Sequence, residues 1–148
     1  MSILFQSVKV IDSQSKHNNK TVDILVNKGV IESIGKNIEQ EVTKRCKIIH
    51  GKGLHLSPGL MDLHVNYRDP GYEWKEDLNT GIQASAKGGF TSVLYMPSNN
   101  PSTNSKVQVD YIRNATKSSV VEVLPAGNVT VDHQGQQLTE LYEMSQSG

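Results

Sequence analysis

The sequence predicts an α/β protein, with a small β-sheet domain over residues 1–56 and three βα units over residues 57–148. Two observations support this prediction. The first part alternates apolar and polar residues in short runs, which is typical of strands, and shows no long helical period. After Pro58, apolar strand-like runs alternate with helical ones, and the strands begin about 30 residues apart, the size of one βα unit.

The small domain is predicted to consist of short strands joined by polar turns. ILFQSVKVID gives the first strand, and TVDILV and VIESIG form a hairpin over residues 22–34 around the turn Asn27-Lys28-Gly29. The polar segment KNIEQEVTKR fits either a loop or a weak strand. KIIHGKG and LHLSPG give one or two further short strands with glycine turns.

The second part is predicted to contain three buried strands: LMDLHV (60–65), TSVLYM (91–96) and VVEVLP (120–125). Parallel strands joined by helices are covered on both faces and therefore carry few charges. The first helix lies in EWKEDLNTGIQASAKGG, the second is capped by Asn104 or Ser105, and a short third lies in LTELYEMSQSG. Their spacing gives each helix one apolar face. It consists of Trp74, Leu78, Ile82 and Ala86 in the first helix and of Val107, Tyr111 and Ala115, with Ile112 beside them, in the second.

Composition excludes several functional classes. Fifteen basic residues balance fifteen acidic ones, so the chain lacks the excess positive charge of a nucleic-acid-binding protein. No apolar run reaches the roughly 20 residues of a spanning helix, and no signal peptide is present. A single cysteine, Cys46, excludes a disulfide within the chain. We therefore expect a cytoplasmic protein with neither a nucleic-acid nor a membrane partner.

Polar residues that can carry chemistry cluster at the end of the first predicted barrel-type strand. Alternation along a strand places Asp62, His64 and Asn66 on one face. A histidine and a second donor two residues apart can converge on one metal ion, although an isolated strand histidine more often has a structural role. Arg68 follows in the loop, and its planar fork of donors suits a carboxylate. This segment is the predicted functional site.

The segment SPGLMDLHVNYRDPGYEWKEDLNTGIQASAKGGFTSVLYMPSNNP resembles the first βα unit and second strand of dihydroorotases, within the amidohydrolase superfamily. The residues before it resemble the small N-terminal sheet domain of that superfamily, and VVEVLPAGNVT resembles its third barrel strand. The resemblance implies a TIM-type (β/α)8 barrel. The chain would hold its first three βα units and would be an N-terminal fragment, because a closed barrel needs eight strands.

The resemblance also implies a zinc-dependent cyclic amidohydrolase that interconverts dihydroorotate and N-carbamoyl-aspartate in pyrimidine biosynthesis. In such enzymes a zinc-bound hydroxide attacks the ring carbonyl. The matching positions imply His64 as a metal ligand and Arg68 as the residue that holds the substrate carboxylate. Ser98 stands at the position of a substrate-binding asparagine, where Asn99 or Asn100 would compensate only if the loop shifts.

Asn66 stands where the family has a second histidine ligand, and an amide oxygen replaces imidazole poorly on zinc. We therefore expect the 148-residue chain to be inactive alone and assign no catalytic residue. Three interpretations stay open: a dihydroorotase that tolerates Asn66, a noncatalytic dihydroorotase-like subunit that supports aspartate transcarbamoylase, and a hydantoinase- or allantoinase-type enzyme. Arg68 favours dihydroorotate over the third.

Two further expectations follow from the predicted fold. Three βα units leave a strand edge and apolar helix faces uncovered, so we expect the chain to form a homo-oligomer. His133, which follows the third strand, lies near the predicted barrel mouth, but the resemblance gives it no role, and we predict a loop residue.

Overall fold

The computed structural model describes residues 2–38 and 46–148. Internal contacts separate the chain into two compact units, Met1–Pro58 and Gly59–Gly148. The regular elements of the first unit that are described are all strands, whereas the second alternates strands with helices. The α/β fold class predicted from the sequence is therefore confirmed.

The first unit is a single mixed sheet in which β1 is central. β1 pairs with β2 antiparallel and with β4 and β5 in parallel, and β2 and β3 form an antiparallel hairpin. This confirms the predicted hairpin. Residues 39–45, from the segment predicted as a loop or a weak strand, lie outside the described residues. The strands are β1 Ser2–Val10, β2 Thr21–Asn27, β3 Val30–Gly35, β4 Cys46–His50 and β5 His55–Leu56.

A buried carboxylate supports a bulge in this sheet. The pairing of β1 with β2 changes register between Phe5 and Val8, and Ser7 there has a φ of 60°. Asp23, only 7% exposed, accepts hydrogen bonds from the backbone N–H of Ser7 at 2.8 Å and of Ile38 at 3.3 Å. The first bond satisfies an N–H group at the bulge, and the second satisfies one that follows β3, so the carboxylate has a structural role.

The second unit contains a parallel three-stranded sheet in the order β6-β7-β8 with connecting helices. The three strands predicted from the sequence are confirmed. No helix in residues 2–38 and 46–148 combines the length and apolar character that a bilayer crossing requires. The elements are β6 Leu60–Val65, α1 Leu78–Lys87, β7 Phe90–Tyr95, α2 Lys106–Thr116, β8 Glu122–Pro125 and α3 Leu141–Gln146.

The core of the second unit lies between the sheet and the first two helices. Val93 and Tyr95 on β7 are almost fully buried, at 0% and 1% exposure. Their position at the centre of the sheet fixes which helix faces turn inward. The core cluster is completed by Tyr67, Leu78, Ile82, Ile112, Val121 and Val123.

The first helix is shorter than the sequence pattern predicts. Asp77 caps it, because its Oδ1 accepts a hydrogen bond from the Thr80 N–H at 2.9 Å and α1 therefore begins at Leu78. Leu78 and Ile82 are buried as predicted. The prediction for Trp74 was wrong, because this residue precedes the helix and is 79% exposed, and Ala86 on the last turn is also exposed.

The second helix begins as predicted but turns a different face inward. Ser105 is its N-cap, and the Ser105 N–H donates to Gln108 Oε1 at 3.0 Å. Val107 and Tyr111 of the predicted face are 73% and 47% exposed, whereas Ile112, predicted beside that face, is fully buried in the core cluster. Val109 and Thr116 are the other buried residues of the helix.

Candidate functional site

The candidate site lies at the edge of the sheet where the three parallel strands of the second unit end. The backbone N–H of Met96 donates to the Val65 carbonyl at 2.9 Å, and that of Ala126 donates to the Tyr95 carbonyl at 2.8 Å. Backbone hydrogen bonds between neighbouring strands therefore extend to the start of the loops. Parallel strands place their carboxyl ends at one edge, so the loops that follow β6, β7 and β8 form a common surface.

Asp69 holds the first of these loops against both helices. Its Oδ2 accepts a hydrogen bond from the Leu78 N–H, the first of α1, and its Oδ1 accepts one from the Tyr111 hydroxyl, both at 3.2 Å. The Tyr95 hydroxyl donates to the Asp69 carbonyl at 2.8 Å. These three contacts fix the backbone next to Arg68, whose φ of 66° lies in the left-handed region that non-glycine residues rarely adopt.

Two stacked tyrosines support this loop from below. The ring centroids of Tyr67 and Tyr95 lie 5.6 Å apart at 24°, and the Tyr67 hydroxyl pairs with Ser85 Oγ at 2.7 Å. Burial raises the pKa of both phenols above the ordinary value, and the charge of Asp69 raises that of Tyr95 further. Both hydroxyls therefore remain protonated at neutral pH, which keeps Tyr95 a hydrogen-bond donor to the loop.

A groove of about 490 Å3, which we call the mouth groove, opens between the three loops. Arg68 lines it from the first loop, and its Nη1 donates a long hydrogen bond, 3.5 Å, to the Ser98 carbonyl. Ser98, Asn99 and Asn100 line it from the second loop. The structure therefore brings the four residues predicted for substrate binding to one cavity, and their role in binding stays a prediction.

Asn66 and Ser98, both departures from the pattern that the sequence resembles, contact each other. The Ser98 hydroxyl donates a hydrogen bond to Asn66 Oδ1, and both side chains are half-buried. This bond connects the ends of β6 and β7 and occupies the amide oxygen with which Asn66 would ligate a metal ion. Neither Asn66 nor His64 lines the mouth groove.

The described residues do not fit a zinc centre. His64 is exposed, and its contact with a neighbouring carboxylate is made by its backbone, since the His64 N–H donates to Asp62 Oδ1 at 2.9 Å. Within residues 2–38 and 46–148, no three His, Cys, Asp or Glu side chains come together as a metal-binding group. Zinc sites use three or four such donors, so His64 and Asn66 alone do not form one.

The two asparagines of the second loop differ in environment. Asn99 is 5% exposed, and its Oδ1 accepts a hydrogen bond from Thr103 Oγ1 at 3.2 Å. Its Nδ2 has no hydrogen-bond partner among the described residues. Asn100 is exposed, and its backbone N–H donates to the Pro70 carbonyl at 2.8 Å. Asn99 therefore offers a buried, unused donor, whereas Asn100 connects the first two loops.

The prediction from sequence gave His133 no role, but the structure places it in the wall of the mouth groove. His133 Nε2 lies 3.2 Å from the Pro97 carbonyl and 3.5 Å from Ser102 Oγ, so it connects the third loop to the second. The sequence contains one indication that His133 lies at the groove. The residue follows the third strand, and loops that follow parallel strands share one edge of the sheet.

A network of side-chain amides also connects these loops. Asn104 Oδ1 accepts hydrogen bonds from Asn128 Nδ2 at 2.7 Å and from the Asp132 N–H at 3.2 Å, while Asn104 Nδ2 donates to Asp132 Oδ1 at 2.8 Å. The Asn128 N–H donates to the Thr103 carbonyl at 2.8 Å. Asn128 is 2% exposed, so the network runs from a buried amide to the exposed Asp132 and holds the second and third loops together.

Comparison with known proteins identifies the family. The family model described as dihydro-orotase-like matches residues 53–148. Over its whole length the chain is 40% identical to a dihydroorotase of Geotalea daltonii and 39% identical to one of Geobacter metallireducens. The chain covers 34% of each of these relatives, and it therefore spans about a third of their length.

Solved structures show the same fold. A crystal structure of a dihydroorotase has a TM-score of 0.65 at 16% identity, with 99% of this chain and 38% of that chain covered. L-Hydantoinase from Arthrobacter aurescens has a TM-score of 0.68 at 21% identity, with 86% of this chain and 28% of that chain covered. These are amidohydrolase proteins with TIM-type barrels, so the second unit represents the first βα units of such a barrel. The chain belongs to the dihydroorotase family.

Proposed function

We propose that the full-length protein acts in the cytoplasm in pyrimidine biosynthesis, at the step that interconverts dihydroorotate and N-carbamoyl-aspartate. The similarity to dihydroorotases over the whole chain supports this proposal. The observation that carries it is the position of Arg68, which lies beside the end of β6 and lines the mouth groove.

Arg68 is suited to hold the carboxylate of dihydroorotate. A guanidinium group donates two parallel hydrogen bonds to a carboxylate, and a half-buried one loses less of this energy to water than an exposed one. The hydrogen bonds of Asp69 hold this loop in place and so fix the direction from which the Arg68 side chain enters the groove. Ser98 and Asn99 line the same groove, and we propose that they contact the same ligand.

The 148-residue chain is proposed to be inactive by itself, because the described residues do not build a metal centre. The test is an assay of dihydroorotate hydrolysis by the chain with added zinc, compared with zinc alone. We expect no turnover above the zinc control. Turnover well above that control would contradict this part of the proposal and would require ligands that the described residues do not provide.

A second candidate function is that of a noncatalytic dihydroorotase-like subunit that binds and supports aspartate transcarbamoylase. The hydrogen bond between Ser98 and Asn66 favours it, since this bond occupies a position where the family's catalytic pattern has a metal ligand. The chain has the fold of the family and the groove, whereas its described residues lack the full set of metal ligands. A noncatalytic subunit that supports a partner enzyme requires only the fold.

The metal content of the full-length protein discriminates between the two candidates. Stoichiometric zinc with dihydroorotate turnover supports the enzyme, whereas metal-free, folded protein that co-purifies with added aspartate transcarbamoylase supports the scaffold. In the scaffold case, Asn66→His is expected to gain zinc affinity, because it places two imidazoles two residues apart at the end of β6. Asn79→His, on the exposed surface of α1, is the matched control and should gain none.

A hydantoinase- or allantoinase-type activity is less well supported. Hydantoinases also open cyclic amides, but the similarity to L-hydantoinase, at 21% identity, shows only the fold. Arg68 in the mouth groove suits a substrate that carries a carboxylate. A direct comparison of dihydroorotate, hydantoin and allantoin as substrates of the full-length protein tests this preference.

A further inference from the structure

The mouth groove contains a second cation that the proposed function does not use. Lys75 lines the groove together with Arg68, and Asp132 is the carboxylate among its described lining side chains. Asp132 Oδ1 accepts a hydrogen bond from Asn104 Nδ2 at 2.8 Å, and Asn104 is not a lining residue. The described lining residues of the groove therefore include two cations and one carboxylate, and that carboxylate accepts a hydrogen bond from outside the groove.

Lys75 is held in place by aromatic rings rather than extended freely into solvent. Its Nζ lies 4.7 Å from the ring centroid of Trp74 and 5.3 Å from that of Tyr72. The Lys75 N–H donates to the Tyr72 carbonyl at 2.8 Å, which closes the turn that carries the three residues. Cation–π contacts restrict the ammonium group, so it loses less freedom when it binds an anion.

An unused donor lies in the wall of the same cavity. Asn99 lines the groove, is 5% exposed, and has a side-chain nitrogen with no partner among the described residues. A buried amide N–H without an acceptor is unfavourable, and an oxygen atom of a bound ligand would satisfy it. The volume of about 490 Å3 falls within the range of about 300–1,000 Å3 that is usual for small-molecule sites.

We infer that Arg68 and Lys75 form a two-cation clamp for a small dicarboxylate, in which Arg68 binds one carboxylate and Lys75 the other. The inference rests on the proposed function, because N-carbamoyl-aspartate carries two carboxylates and dihydroorotate carries one. When Arg68 binds the first carboxylate of the open-chain compound, Lys75 is the other cation among the described lining residues that can bind the second. The groove therefore favours the open-chain compound over the cyclic one.

Calorimetric titration of the 148-residue chain in EDTA tests the clamp. The two ligands are N-carbamoyl-aspartate and dihydroorotate, and circular dichroism checks that each variant is folded. N-carbamoyl-aspartate is expected to bind about tenfold more tightly than dihydroorotate. Lys75→Gln is expected to remove this difference by weakening the dicarboxylate alone, whereas Arg68→Gln weakens both ligands. Lys87→Gln, at the end of α1 and outside the groove, is the matched control and should change neither affinity.

Three results would overturn the clamp: equal affinity for the two ligands, unchanged selectivity in Lys75→Gln, or displacement of N-carbamoyl-aspartate by an equal concentration of sulfate. The last result would indicate a nonspecific response to charge. In the second case, binding of both ligands depends on Arg68 but not on Lys75, which overturns the clamp and leaves the proposed function intact. The proposed function itself is tested separately, by turnover and zinc content of the full-length protein.

Discussion

The Tyr95 hydroxyl is the contact through which the sheet supports the loop that carries Arg68. It is buried, with Tyr95 1% exposed, and it donates to the Asp69 carbonyl at 2.8 Å. Loss of the hydroxyl would remove this donor from the backbone next to Arg68. The same burial that protects the bond keeps the phenol neutral.

We predict that Tyr95→Phe lowers the free energy of unfolding at pH 7 by about 1 kcal/mol, because a buried carbonyl loses its donor. The pKa of Tyr95 is raised in the folded chain, mainly by burial and then by the charge of Asp69. Its contribution to stability is therefore complete below the unfolded pKa of about 10 and is lost as pH rises beyond it.

Urea unfolding at pH 7 and at about pH 10.5 measures both effects. The alkaline loss of stability should be smaller in Tyr95→Phe than in the unchanged chain. Tyr142→Phe is the control, because Tyr142 is 73% exposed and its removal should change little at either pH. An alkaline loss of equal size in Tyr95→Phe and the unchanged chain would show that Tyr95 is not the group responsible.

Gly71 permits the close approach of the first two loops. It has a φ of 103°, and a Cβ atom built there would lie 2.1 Å from the Asn100 carbonyl oxygen. We predict that Gly71→Ala destabilises the chain by about 3 kcal/mol, roughly 1 from the backbone conformation and 2 from the overlap.

Gly89→Ala separates these two contributions. Gly89 has a similar φ of 85°, but a Cβ atom there would meet nothing within 4 Å. It should therefore cost only about 1 kcal/mol in thermal or urea unfolding. Equal destabilisation by the two substitutions would mean that the second loop moves aside and that the contact with Asn100 does not fix its position.

The individual site residues differ in how far they could be predicted. Arg68 lies in a local motif, so the sequence alone identified it, and the same holds for the loop from Ser98 to Asn100. The bond between Ser98 and Asn66 joins residues 32 positions apart, and local patterns carry no information about such a pair. The position of His133 depends on a turn with unusual backbone angles, φ 61° at His133, which composition does not indicate.

At the scale of elements, the strands were predictable and the helix faces only in part. Short apolar runs bounded by glycine and proline define the strands of both units, and each was found within a few residues. α2 carries apolar residues on two stripes, and spacing alone does not say which stripe is buried. Packing against the sheet decides it, because the cluster around Ile112 has its partners on β7 and β8.

Two valines on α2 make this conclusion testable. Val109 is 2% exposed and Val107 is 73% exposed. We predict that Val109→Ala lowers the free energy of unfolding by about 2 kcal/mol, through lost burial and the cavity left behind. Val107→Ala removes the same atoms from the surface and should change stability by less than about 0.5 kcal/mol. Equal effects in urea unfolding would contradict the orientation of the helix.

At the scale of the whole molecule, the second unit has three parallel strands, whereas the closed barrel of its family has eight. In a closed barrel every strand has two neighbours, which leaves no free edge. Here β6 and β8 each pair with β7 alone among the described strands. The strand pattern therefore made the type of barrel predictable. Among the described strands, the outer edges of β6 and β8 are unpaired, so they can pair only with other polypeptide.

The surface of β6 gives this point a measurable consequence. Leu60, Met61 and Leu63 are 53%, 45% and 65% exposed, so a strand at an open edge exposes three apolar side chains. Such an edge pairs readily with a second chain.

We predict that the 148-residue chain self-associates. Leu63→Lys should shift it toward the monomer, because association would bury the charged lysine side chain between the two chains. Light scattering after gel filtration measures both, with Val30→Lys, an exposed valine on β3, as the control. A stable monomer of the unchanged chain at micromolar concentration would refute the prediction.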